Sequence, residues 1–135
     1  MIRVDRRFVI QFHHAPDGEH YDLMLELADV LATWRLADSP AELAPGGRLD
    51  ARALGDHRKA YLSYQGAVSG GRGTVRIAEE GTYRLAARED DRWIFELQGR
   101  RITGSFELTR LEGDHWRLGR APDRPVRRGP STPRG

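Results

Sequence analysis

Residues 7–27 read R-F-V-I-Q-F-H-H-A-P-D-G-E-H-Y-D-L-M-L-E-L, and this stretch fixes both the class of fold and the place where chemistry can gather. From His20 the residues alternate: His20, Asp22, Met24 and Glu26 fall on one side, Tyr21, Leu23, Leu25 and Leu27 on the other. That is the period of two of a β-strand. A strand over residues 7–12 precedes it, and Pro16-Asp17-Gly18 supplies a short turn between the two. Three of the chain's five histidines, His13, His14 and His20, lie within eight positions, with Asp22 close behind. Imidazole nitrogen with carboxylate oxygen is the donor set that borderline divalent metals favour. Residues two apart on one face of a strand are roughly 7 Å apart at the backbone. His20 and Asp22 therefore project together, and the end of the first strand delivers His13 or His14 to the same point.

Beyond this hairpin, strands are expected over residues 30–36, 60–64, 74–78, 82–87, 92–97, 101–111 and 115–118. Turn residues such as Gly46-Gly47, Gly70-Gly71 and Glu112-Gly113-Asp114 punctuate them. Helical spacing is confined to a turn or two at residues 49–54, and residues 37–48, rich in Pro and Gly, read as a surface loop. Many short strands with regular turns predict an antiparallel all-β barrel or sandwich.

A chain of 135 residues is expected to form one domain over residues 1–120. It has no cysteine, which excludes disulfides, thiolate ligands and a thiol nucleophile. No apolar run reaches membrane-spanning length and no signal-peptide core stands at the N-terminus, so no membrane partner and a cytoplasmic location are expected. Net charge is only +2, but Lys59 is the single lysine among 22 basic residues. Arginine's planar fork suits phosphate. Residues 121–135, rich in Pro, Gly and Arg, predict a disordered basic tail able to add affinity for a polyanion.

Two further clusters stand out. Gly55-Asp56-His57-Arg58-Lys59-Ala60-Tyr61 places a histidine among charges at a strand entry, either a catalytic rim or a solvated turn. Val68-Ser69-Gly70-Gly71-Arg72-Gly73-Thr74-Val75 could cradle an anion on successive N–H groups, but it lacks a Walker signature and reads first as a hairpin turn.

Taken together, these segments resemble the 3′-phosphoesterase module of bacterial DNA ligase D and its small free-standing relatives. The resemblance rests on Phe8-Val9-Ile10-Gln11-Phe12-His13-His14-Ala15 followed by Glu19-His20-Tyr21-Asp22-Leu23-Met24-Leu25-Glu26. It continues through Thr33-Trp34, Arg48-Leu49-Asp50, His57 to Tyr61, Gly73-Thr74-Val75, and Leu97-Gln98-Gly99 to Arg110, with Trp116 closing it. The resemblance implies a small antiparallel β-barrel of about eight strands, with at most short helices and a polar groove on one side. It also implies a divalent metal, manganese first and zinc as the alternative. The ligands would be His13, His20 and Asp22, with His14 as the alternative to His13. His57, Arg48, Tyr61 and Gln11 would be the catalytic and phosphate-binding residues.

The implied activity is trimming of a DNA primer at its 3′ end, removing a terminal ribonucleoside or a 3′-phosphate during end-joining repair. The partners would be a primer–template end and a repair ligase or polymerase, and the chain would act as a monomer. Two departures from the family pattern stand out. The loop at residues 15–19 holds one extra residue, although alternation aligns Gln11 with His13. Met24 stands where such proteins carry an arginine, which predicts weakened catalysis unless Arg35 or Arg58 fills the gap. A non-catalytic DNA-end-binding module and a cupin-like metalloenzyme are the alternatives.

Overall fold

The computed structural model describes residues 6–122. The strands are β1 (Arg6–Ala15), β2 (Gly18–Glu26), β3 (Leu31–Leu36), β4 (Arg48–Ala53), β5 (Gly66–Ala67), β6 (Thr74–Glu89), β7 (Arg92–Gly99), β8 (Thr103–Glu112) and β9 (His115–Arg120). Their order in one antiparallel sheet is β1-β2-β3-β4-β9-β8-β7-β6-β5. A further pairing of β1 with β6 closes the sheet into a barrel-like ring. Closure leaves the tiny β5 as the outlying strand and removes the edges that an open sheet would expose.

Alternation explains what fills the ring. Phe8, Ile10, Leu23, Leu25, Trp34, Leu36, Tyr83, Phe95, Phe106 and Leu118 point inward and form one continuous core. Trp34 packs edge-on against both Trp93 and Trp116, with ring centroids 4.9 and 5.6 Å apart. The opposite faces of β1 and β2 are also buried, because Val9, Met24 and Leu31 form a second, smaller core with Leu62 on the outside of the ring. This outer core is what carries the site.

Several sequence expectations are corrected. Residues 60–64 form no strand; a 3-10 turn over Lys59–Leu62 lies there instead. Its short apolar run presses Leu62 and Tyr61 onto the sheet's outer face rather than joining a ladder. Residues 49–54 are not helical, because β4 pairs with β3 on one side and β9 on the other. Alanine's helix preference loses there to two ladders of hydrogen bonds. The two strands expected at 74–78 and 82–87 are one, β6, bulged at Ala78 where it crosses from Gln11↔Ile77 to Ile10↔Glu79. Glu79 is buried there. Its carboxylate accepts N–H bonds from Glu80, Arg100 and Arg101 at 3.1, 2.9 and 2.7 Å, which ties β6 to the turn between β7 and β8. The expected basic tail lies outside the described residues from 123 onward, and Ala121 N–H still donates to Ser105 O at 2.9 Å.

Candidate metal centre

β1 and β2 meet in register around the Pro16-Asp17 turn, pairing Ala15 with Gly18, His13 with His20, and Gln11 with Asp22. Strict alternation then sends His13, His20 and Asp22 to the outer face. One donor atom of each lies within 4.8 Å of the other two. His13 Nδ1 is 3.0 Å from His20 Nε2, and His20 Nε2 is 3.6 Å from Asp22 Oδ1. Metal–ligand bonds of about 2.0–2.2 Å put neighbouring donors roughly 3–3.5 Å apart, so these spacings suit a bound ion.

His14 goes the other way. Its Nδ1 meets Glu19 Oε2 at 2.8 Å on the opposite face, and its side chain is 67% exposed. The residue that joins His20 and Asp22 is therefore His13.

Two polar atoms test whether the trio fits an ion. Asp22 Oδ1 is buried with no hydrogen-bond partner, a costly condition for a carboxylate oxygen that nothing coordinates. His13 Nε2 lies 2.7 Å from the carbonyl oxygen of Arg72, so that nitrogen carries the hydrogen and Nδ1 is bare toward the cluster. A carbonyl that fixes an imidazole's tautomer and ring orientation is the usual outer support of a histidine ligand. Both features fit a cation.

The electrostatics follow from burial. Desolvation lowers His20 below the ordinary imidazole value, with Asp22 opposing and Arg35 and His13 assisting. Desolvation raises Asp22 above the ordinary carboxyl value, against the pull of His20 and Arg35. Arg35 is the cross-strand partner of Asp22, and its Nε stands 3.8 Å from Asp22 Oδ1.

The other expected site residues fall into two groups. Gln11 is buried and donates both amide hydrogens, to Tyr61 O at 3.0 Å and Tyr64 O at 3.1 Å. It therefore pins the segment carrying the 3-10 turn against the sheet. His57 sits at the head of that segment, exchanging backbone bonds with Leu31 at 2.8 and 2.9 Å. Its Nδ1–H donates to Gly55 O at 2.9 Å, and its ring packs edge-on against Tyr61 at 5.7 Å. Gln11, His57 and Tyr61 thus form one connected rim beside the trio. Arg48 is not part of it. It opens β4, exposed and paired with Gly119, four residues along from Arg52, which is level with Arg35.

The Arg72 carbonyl escaped the sequence reading because a main-chain atom has no letter of its own. The available signal was the glycine-rich stretch around it. That stretch is the hairpin between β5 and β6, closed by Val68 N–H to Gly73 O at 2.8 Å. Gly73 has φ +92°, and a Cβ there would stand 2.0 Å from His14 O. Only glycine lets the hairpin approach β1 closely enough for the Arg72 carbonyl to reach His13.

A sequence profile described as DNA Ligase D 3′-phosphoesterase domain matches residues 11–110. The chain belongs to that family. It is also 36% identical over 118 residues to the multifunctional non-homologous end joining DNA repair protein LigD of Mycobacterium tuberculosis, a match covering 81% of this chain and 15% of that protein. The corresponding protein of Pseudomonas aeruginosa is 29% identical over 129 residues, covering 87% of this chain and 15% of that protein. The chain thus spans about one-seventh of the length of these curated relatives, given the 15% coverage. Among the described residues no helix is long and apolar enough to cross a membrane.

Proposed function

We propose that the chain is a metal-dependent phosphoesterase that processes DNA 3′ ends in end-joining repair. The observation that carries this reading is the convergence of His13, His20 and Asp22, with a buried Asp22 oxygen left unpartnered. Family membership supports the phosphoester class, and the printed names of the LigD relatives supply the repair setting. His13 and His20 with Asp22 would hold the ion, and an N,N,O donor set suits manganese, with zinc the competitor. Such an ion supplies positive charge for a phosphoryl oxygen and a more acidic water.

The protein's own groups do the rest. His57, with Nδ1–H committed to Gly55 O, keeps Nε2 for proton transfer at the leaving oxygen. Tyr61, held through Gln11, packs against His57 and limits its ring rotation. The relevant partners are a primer–template end and a repair ligase.

The test is a labelled primer–template ending in one 3′ ribonucleotide, incubated with Mn²⁺, Zn²⁺, Mg²⁺ or EDTA. Shortening is expected with Mn²⁺, absent in EDTA, and lost in His20→Ala and Asp22→Ala while His14→Ala retains it. Saturable binding with no shortening under any metal would leave a DNA-end-binding module and overturn the enzyme reading.

A further inference from the structure

Beside the trio stands a guanidinium whose buried N–H has no hydrogen-bond partner. Arg35 lies across the ladder from Asp22 on the same outer face. Its Nε is buried and unpartnered, 3.8 Å from an Asp22 Oδ1 that is likewise unpartnered. The rest of the side chain reaches solvent, at 42% exposure. Neighbouring cations are engaged elsewhere. Arg52 donates Nη1 to both oxygens of Asp114 at 3.0 Å, and Lys59 meets Glu26 Oε2 at 2.9 Å. Arg72 bonds Ser69 O at 2.7 Å, and the Arg58 guanidinium lies 6.0 Å over the Tyr61 ring.

Position 24 cannot supply this charge. Met24 is buried between Val9, Leu31 and Leu62 in the outer core. Arg35 stands one strand over and level with Asp22, so it presents a cation on the same outer face from β3 instead of β2.

We infer that Arg35 is the residue that grips the terminal phosphate of the DNA substrate, with its Nη groups on two phosphate oxygens. The inference rests on the phosphoesterase reading above and makes it specific to phosphate-ended strands. A planar guanidinium offers two parallel N–H groups to a tetrahedral anion, whereas an ammonium offers a point charge. Charge balance agrees. A divalent ion with Asp22 and Arg35 sums to +2, against the roughly −2 of a terminal phosphate.

The experiment compares recessed-end duplexes bearing a 3′-phosphate or a 3′-hydroxyl, with inorganic phosphate as competitor. Binding is followed by fluorescence anisotropy in EDTA and trimming is followed with Mn²⁺. The wild type should prefer the 3′-phosphate end roughly ten- to hundredfold, the value of a charge-assisted pair of hydrogen bonds. Arg35→Ala should erase that preference while keeping affinity for the hydroxyl end within about twofold. Arg35→Lys should restore part of it. Arg52→Ala, one strand away, should leave it unchanged. If phosphate preference vanishes in Arg35→Ala although the wild type never trims, Arg35 stands and the enzymatic reading falls. If the wild type trims and Arg35→Ala behaves identically, the assignment of Arg35 is wrong and the reading stands. Equal loss for both ends, no wild-type preference, or competition by phosphate that is unchanged in Arg35→Ala also overturns it.

Discussion

At the scale of single residues, one β-strand step separates a member of the trio from a bystander. His13 and His14 share a sequence neighbourhood, yet one faces His20 and Asp22 and the other faces Glu19. Replacing His13 by Ala should remove Mn²⁺ binding measured by calorimetry, whereas His14→Ala should leave the affinity within about twofold, as suits an exposed ion pair of little energetic weight. Loss of binding in His14→Ala alone would reverse the assignment. The trio was legible in the sequence because a period of two is a local property and both strands carry it. The supporting contacts were not. Gln11 reaches the carbonyls of Tyr61 and Tyr64, fifty and more positions away, and no spacing rule announces such a bond.

At the scale of elements, the site depends on two pieces laid over the outside of the ring. The β5–β6 hairpin brings the Arg72 carbonyl to His13 through the close approach at Gly73. Gly73→Ala should push the hairpin away and weaken Mn²⁺ affinity by about 10–100-fold, the range for a lost outer-shell partner. The ¹⁵N shifts of His13 should report loss of the fixed Nε2–H tautomer at the same time, and an unchanged tautomer would refute the link. The second piece is the segment from His57 to Tyr64, strapped down by Gln11 and by Glu26. Glu26 accepts Arg7 N–H and Lys59 Nζ at 2.8 and 2.9 Å. Partial burial works to raise its carboxyl, but these two hydrogen bonds prevail and it titrates below the ordinary value. A depressed carboxyl contributes stability above its unfolded value, near 4.5, and loses it as pH falls through the lower folded value. Urea denaturation should therefore show Glu26→Gln less stable than wild type at pH 7, by up to about 1 kcal/mol given the exposure of Lys59, with the gap closing in acid. A gap that widens in acid would contradict the sign. Residues 60–64 of this segment read as a strand because Leu62 and Tyr61 are apolar. Whether such a short run joins a ladder or caps a face depends on tertiary packing, as does the fate of the helix-like spacing at residues 49–54, which fall largely in β4.

At the scale of the whole molecule, closure of the ring makes the site and the fold one cooperative object. β1 carries Gln11 and His13, bonds β2 on one edge, and seals the ring to β6 on the other. That the chain is built of many short strands between turns could be read from the sequence, but the seam could not, since it joins residues near 10 to residues near 80. An ion held between β1 and β2 would therefore stabilise the global fold as well as the hairpin. Saturation at a hundredfold excess over Kd should contribute about 2.7 kcal/mol, or roughly 8–14 °C in Tm for a chain of this size. Asp22 works in the opposite sense when no ion is present. Its buried Oδ1 lacks a hydrogen-bond partner, so the charge that would hold an ion destabilises the metal-free fold. Asp22→Asn removes that charge at nearly constant volume. The expected result in thermal melts is a metal-free Tm at or above that of wild type, together with loss of the Mn²⁺-induced rise. A mutant that melts well below wild type in EDTA would mean that Asp22 supports the fold through its charge, and the metal centre would then lose its strongest structural argument.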